Sequence, residues 1–353
     1  MEKDRQATFF DCGCCRECLA RDICGGCEPD CLYCASVPRV GGARRDVTTC
    51  YRDDLPGFIA DIGGLHFEDI VAAPSNLPRF PPYIPQIGRV GRRLRLPSYP
   101  IYAVACDLVR SHLLNGRPLQ NLRPHFGIPA SSQVLLINFA KDAIVERIWT
   151  AQRNVVASIA ASGLDAVIAP NYSVFWTEPR MEQLINMKRS LVNFEQLQAQ
   201  GVSAIPHIYW RRQEDLQRWA DWIRANPSVN VISVNLQTFK SLDEWNFVLR
   251  GLKWLVDALP PHILFILAGK ASAERIARLK DTAPNFCLIN KLPYVSAFKL
   301  HRLVYEHGAI RKFLQLDSSP SELFAENIQV FAQLVGTRPS SFLAEPLSPA
   351  TPP

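Results

Sequence analysis

Val134-Leu-Leu-Ile-Asn138 is the first of six short apolar runs, followed by Ala166-Val-Ile-Ala-Pro170, Ala204-Ile-Pro-His-Ile208, Val231-Ile-Ser-Val234, Ile263-Leu-Phe-Ile-Leu267 and Phe286-Cys-Leu-Ile-Asn290. Long amphipathic segments separate them. Apolar runs without polar alternation suit strands covered on both faces, and parallel strands need a crossover helix between them. Six strand–helix units therefore predict a parallel sheet in an α/β fold. Polar side chains directly after every strand favour a partial or closed (β/α) TIM-like barrel over residues 131–336, completed by upstream chain; a doubly wound open sheet satisfies the same pattern.

The 353 residues are 48% hydrophobic, enough for a full-sized core with a smaller appendage. The apolar runs are strand-length, well short of the roughly 20 residues that cross a bilayer, so no membrane role is expected. The N-terminus opens on charges, Met1-Glu-Lys-Asp-Arg, with no apolar run behind them, which predicts a cytoplasmic chain without a signal peptide. Residues 51–130 are punctuated by prolines and read as an irregular connecting region with short strands, and residues 337–353, rich in Ser and Pro, read as a disordered tail. Net charge is only +6, yet Arg89, Arg92, Arg93, Arg95, Arg110, Arg117 and Arg123 fall in a stretch whose one acid is Asp107. That stretch suits nucleic acid or a phosphate-bearing ligand, or else an ordinary solvated basic surface.

Residues 1–50 form a separate Cys-rich segment. Of 11 cysteines, Cys12, Cys14, Cys15, Cys18, Cys24, Cys27, Cys31 and Cys34 crowd together. So short a stretch cannot bury a core, and reduced thiols at that density are metal ligands. Zinc modules usually separate their ligand pairs by a dozen or more residues, whereas Cys12-x-x-Cys15-x-x-Cys18 has the close spacing of ferredoxin runs; iron–sulfur is favoured and zinc is the alternative. Cys27-x3-Cys31-x-Tyr33-Cys34 also matches the pattern of radical S-adenosylmethionine enzymes, which would make S-adenosylmethionine a cofactor, although the strand that should precede such a loop is missing.

In a barrel the chemistry gathers where strands end. Those positions carry Asn138, Lys141 and Asp142; Asn171 and Ser173; His207 and Tyr209; Asn235 and Gln237; Lys270; and Asn290. Helix-borne Arg180, Lys188 and Arg189 add positive charge, which predicts an anion-binding rim. His207 and Asp142 are the candidates for acid–base work, and Asn171, Ser173, Arg180, Lys188, Arg189, Asn235 and Gln237 for ligand binding. Each has a plainer reading: a strand-end histidine or asparagine caps backbone, Asp142 caps a helix, and arginines decorate helix surfaces. Trp219, Trp222, Trp245 and Trp254 recur at helical spacing and read as core. No glycine-rich dinucleotide or P-loop motif occurs in the sequence.

Ala169-Pro-Asn-Tyr-Ser173, Glu178-Pro-Arg180, Met187-Lys-Arg189, Ile205-Pro-His207 and Asn235-Leu-Gln-Thr238 together resemble domain-of-unknown-function family 4417, found in bacteria and mobile elements, over roughly residues 130–290. The resemblance implies a shared cytoplasmic α/β fold and no established activity, and it does not extend to the cysteines.

Two functions follow as expectations. One is a metalloprotein, more an enzyme than not, whose barrel mouth takes an anionic, nucleotide- or nucleic-acid-like ligand. The other is a nucleic-acid-binding accessory protein of a mobile element, with a structural zinc or iron–sulfur centre. Protein purified without oxygen should be brown and release acid-labile sulfide; a colourless sample carrying stoichiometric zinc would replace iron–sulfur with zinc while keeping the thiolate centre.

Overall fold

The computed structural model describes residues 55–88, 94–174, 180–269 and 272–336. The cysteines from Cys12 to Cys34, Cys50, the arginines Arg89, Arg92 and Arg93, Glu178, Lys270 and the tail lie outside those residues.

Eight strands share one sheet: β1 (Tyr83–Ile87), β2 (Ile101–Ala105), β3 (Gln133–Ile137), β4 (Ala166–Ile168), β5 (Ala204–Ile205), β6 (Val231–Asn235), β7 (Leu264–Ala268) and β8 (Phe286–Asn290). Their order is β5-β4-β3-β2-β1-β8-β7-β6, and β1–β2, β1–β8, β4–β5 and β7–β8 run parallel. This order is the chain order taken cyclically, the sequence of strands that (β/α)-barrel topology requires, with β5 and β6 at its ends. The α/β class and the parallel sheet are thus as the apolar runs foretold.

Two of the eight strands come from the proline-punctuated stretch. Every residue of β1 and β2 is buried. β1 holds Pro85 in register with Asn290, although proline has no N–H to give a ladder. The proline signal that reads as irregular chain is real, and the strand tolerates it by losing one donor.

By contact the chain divides into two compact units, one containing residues up to Leu77, Ala105–Gln120 and Leu136–Ile232, the other Pro78–Val104, Asn121–Leu135 and the chain from Ser233 on. The first holds helices α1 (Leu55–Asp61), α2 (Cys106–Leu114), α4 (Asp142–Thr150), α5 (Gln152–Ala160), α6 (Arg180–Ala199) and α7 (Gln213–Ala225). Its aromatic core joins Trp219 to Phe67 at 4.6 Å and Trp222 to Phe194 at 5.8 Å between ring centroids. The second holds α3 (Leu122–Phe126), α8 (Leu242–Ala258), α9 (Ala273–Thr282), α10 (Leu292–Phe298) and α11 (Pro320–Gly336), with a separate hairpin of β9 (His301–Glu306) and β10 (Ala309–Leu314). Tyr83 packs on Phe331 and Tyr294 on Phe324 there, at 5.2 and 5.5 Å.

Local sequence explains the ends. α8 begins at a reciprocal cap in which Ser241 accepts from Glu244 N–H while the Glu244 carboxylate accepts from Ser241 N–H. α3 stops at Gly127 (φ +66°), where a Cβ would lie 2.2 Å from the Leu94 carbonyl oxygen, so only glycine fits. Trp219, Trp222 and Trp245 are core as expected, whereas Trp254 is half-buried. Cys106 and Cys287 are buried, and loss of solvation pushes both thiols up to about 12, so neither is a reactive thiolate. Among the described residues no helix is long and apolar enough to cross a membrane.

Candidate functional site

Helix α6 is buried along most of its length although it carries Arg180, Glu182, Lys188 and Arg189. A buried cation must meet a carboxylate, and each of the three does. Arg180 forms a two-pronged pair with Asp215, its two terminal nitrogens donating at 3.1 and 2.5 Å. The second Asp215 oxygen also accepts from the backbone N–H of Arg211 and Arg212, which starts α7. Lys188, fully buried, donates to the His66 carbonyl at 2.6 Å and to Asp69 at 2.5 Å. Arg189 grips both oxygens of Glu146 at 3.2 and 2.5 Å, and its guanidinium carbon lies 3.9 Å from the Tyr172 ring centroid and 4.8 Å from that of Trp149. Burial lifts the Glu146 carboxyl above its ordinary range, and the Arg189 guanidinium opposes that shift. Asn186 ties the set together, donating to Glu182 and to the Ser173 carbonyl and accepting from Arg189.

The three cations expected at an anion-binding rim are therefore interior groups whose charge is already matched. Sequence reasoning had no sight of the acids, because Asp69, Glu146 and Asp215 lie far along the chain and each looks like a surface carboxylate. One signal was available at Asp215, three residues past Arg212 where a helix begins, a spacing that marks a helix-starting acid.

The strand-end asparagines separate into two kinds. In the second unit Asn290 donates to the Gly269 carbonyl and accepts from Leu292 N–H, and Asn235 accepts from Gln237 N–H at 2.9 Å. Both are spent on capping strand ends, and Gln237 is exposed. In the first unit Asn138 donates to the Ile168 carbonyl and Asn171 N–H donates to the Asn138 carbonyl, but the Oδ1 atoms of Asn138 and Asn171 are buried without a donor among the described residues. Asn138 also lines a cavity of about 10 Å³ with Gln152, Pro170 and Asn193, room for one water at most. Asn171 is half-buried at the strand end.

Trp210, which sequence reasoning passed over, is buried with its indole N–H lacking an acceptor among the described residues. It follows His207, whose ring packs on Phe139 at 4.9 Å and faces Tyr209 at 6.5 Å. Arg211 donates to the Val174 carbonyl and the Tyr209 hydroxyl. Asp142 accepts from the Ser173 hydroxyl at 2.5 Å. The N-cap of α4 is Lys141, so Asp142 occupies the first turn, where the helix dipole favours its negative charge. The first unit thus brings Asp142 and Ser173 together, and His207 with Phe139 and Tyr209. Among the described residues no group of three or more His, Cys, Asp or Glu side chains is placed to hold a metal ion.

Burial takes the His207 imidazole from the ordinary 6.5 down to about 3. Between those values the unfolded chain binds a proton that the folded chain refuses, so stability falls as pH falls through this window, by roughly 1.4 kcal/mol per pH unit at most. Denaturant unfolding between pH 7 and pH 4 should show that slope in the wild type and a shallower one in His207→Gln; equal slopes would mean that His207 does not titrate as a buried group.

Residues 124–279 match the model of a domain of unknown function, DUF4417, the family the strand-end motifs resemble. Two phage proteins, each named Gene 1 protein, are similar: that of Mycobacterium phage D29 is 24% identical over 172 residues, 49% of this chain and 62% of that protein, and that of Mycobacterium phage L5 is 25% identical over 144 residues, 41% and 61%. The chain spans about three fifths of the length of these relatives. Glu146, Arg180, Lys188, Arg189 and Asp215 lie inside the family match, and Asp69 lies outside it.

Proposed function

We propose that the first unit binds a nucleotide-like ligand at the ends of β4 and β5 and reads its heterocycle with neutral groups. The observation that carries this reading is the contrast among the asparagines: Asn235 and Asn290 spend their oxygens on the backbone, while Asn171 Oδ1 has no donor among the described residues. An unpaired buried acceptor costs about 1–3 kcal/mol, which a ligand N–H would offset. Trp210 N–H supplies the complementary donor, and an acceptor with a donor suits the edge of a base. His207, neutral at physiological pH, and the Asp142–Ser173 pair are the groups available for proton transfer if the bound ligand reacts. Since Arg180, Lys188 and Arg189 are matched internally, phosphate adds little to recognition.

The metal centre belongs to the same proposal and rests on the cysteine spacing. Eight thiols fit a soft, thiophilic centre, iron–sulfur before zinc.

A nucleic-acid-binding role is the second reading, favoured by exposed Arg110 and Arg117 in the first unit and by phage proteins among the relatives.

Equilibrium binding of nucleosides and their 5′-phosphates to the full chain tests the site. Each nucleoside should bind about as well as its phosphate, and Asn171→Leu should weaken both by about threefold to tenfold, the worth of one neutral hydrogen bond, with the melting temperature held. Binding that requires the phosphate, or that Asn171→Leu leaves intact, would remove the proposal. Affinity for an oligonucleotide that falls steeply with salt would support the second reading instead.

A further inference from the structure

The hairpin β9–β10 departs from the rest of the second unit in its surface. Among the described residues, Phe298, Tyr305, Phe313, Leu314 and Leu316 are 41–72% exposed, and only Val71 and Leu242 elsewhere join them as exposed large hydrophobics. The hairpin is its own two-stranded sheet, so β10 is an edge strand. It is held rigidly for a surface element. Leu300 enters it at φ 56°, and the turn His307-Gly308 has φ 49° and 75°, both positive as a mirror-image two-residue turn requires. Six consecutive registered pairs run from Ala309↔Glu306 to Leu314↔His301.

An exposed, regular edge strand is a template for another strand, and the charges that keep unselected strands off such an edge, here Arg311 and Lys312, also decide which strand it accepts. The charges here choose the occupant. Arg302 pairs with Glu326 and Arg311 with Glu306, whereas Lys299 and Lys312 are exposed and meet no carboxylate in an ion pair among the described residues. A second copy paired β10 to β10 about a two-fold axis at the middle of the strand would set Arg311 and Lys312 of one copy against Lys312 and Arg311 of the other, and like charges facing across a ladder destabilise it. An acidic strand meets them with opposite charge.

We propose that β10 is a docking edge for an extended segment of another protein, in which acidic side chains alternate with apolar ones, bound by strand addition. The acidic side chains would meet Lys312 on one face of the added strand, and the apolar ones would cover Phe313 on the other. This surface is independent of the strand-end site in the first unit.

The full chain should be titrated with two blocked octapeptides, one alternating Glu with Val and the other alternating Lys with Val, by fluorescence anisotropy, with amide exchange followed across residues 309–314. The Glu peptide should bind at least about twofold more tightly than the Lys peptide and slow exchange in β10, since one attraction to Lys312 is gained and one repulsion avoided. Lys312→Glu should reverse the preference, and Phe313→Ser should weaken both peptides. Equal binding of the two peptides, or a preference unchanged by Lys312→Glu, would overturn the proposal. Protection of residues 309–314 that rises with protein concentration in the absence of peptide would also overturn it, by assigning the edge to a second copy. Lys312 and Phe313 are both exposed, so the variants should keep the wild-type melting temperature, and Lys312→Ala, weakening the Glu peptide alone, checks the same claim without introducing an acid.

Discussion

A helix that carries two arginines and a lysine inside the protein has to bring its counter-charges with it, and in α6 that requirement organises the first unit. Arg180 reaches Asp215 at the start of α7, Arg189 reaches Glu146 in α4, and Lys188 reaches Asp69 in the chain ahead of the sheet. Three segments distant in sequence are thereby fixed to one helix. Apolar packing alone would hold them with less selectivity, because a hydrophobic face tolerates sliding while a two-pronged guanidinium–carboxylate pair does not. The stacking of Arg189 on Tyr172 and Trp149 extends the same demand to the chain after β4.

Strands were the readable part of this fold. The six apolar runs all became strands, since an all-apolar run of five residues has few alternatives between helical segments. β1 and β2 are the short strands expected from the proline-punctuated stretch to complete the sheet, though the prolines concealed their positions, and the β9–β10 hairpin was hidden by its weak alternation, even though His307-Gly308 is a turn signal. At the site, the residue types were visible and their allegiance was not. Nothing in Met187-Lys-Arg189 says whether its cations face a ligand or a carboxylate of the chain itself, because that depends on Asp69 and Glu146, which no local pattern connects to them. His207 was legible as a strand-end residue next to aromatic chain, but the burial that suppresses its protonation is a tertiary property.

With the cations assigned to the interior, the character of the first unit changes. In the proposed reading, what it would offer a ligand is neutral: an amide oxygen on Asn171, an indole N–H on Trp210, an unprotonated imidazole on His207 and the aromatic rings of Phe139 and Tyr209. Two of the strand-end asparagines show what this residue does when it is only structural, which gives the open pair its meaning. Positive charge does reach the surface in the first unit, on Lys141 at the end of β3 and on Arg110 and Arg117, and in the second on residues that include Lys299 and Lys312.

The interior assignment of the α6 cations is tested most directly by a double-mutant cycle at Arg189 and Glu146, read by equilibrium unfolding. Arg189→Met alone should cost roughly 3–5 kcal/mol, because it strands a buried carboxylate, and Glu146→Leu added to it should recover most of that loss. If Arg189→Met instead leaves stability within about 0.5 kcal/mol of wild type, the guanidinium is not balancing a buried charge, and Arg189 returns to being a group held for an anionic ligand.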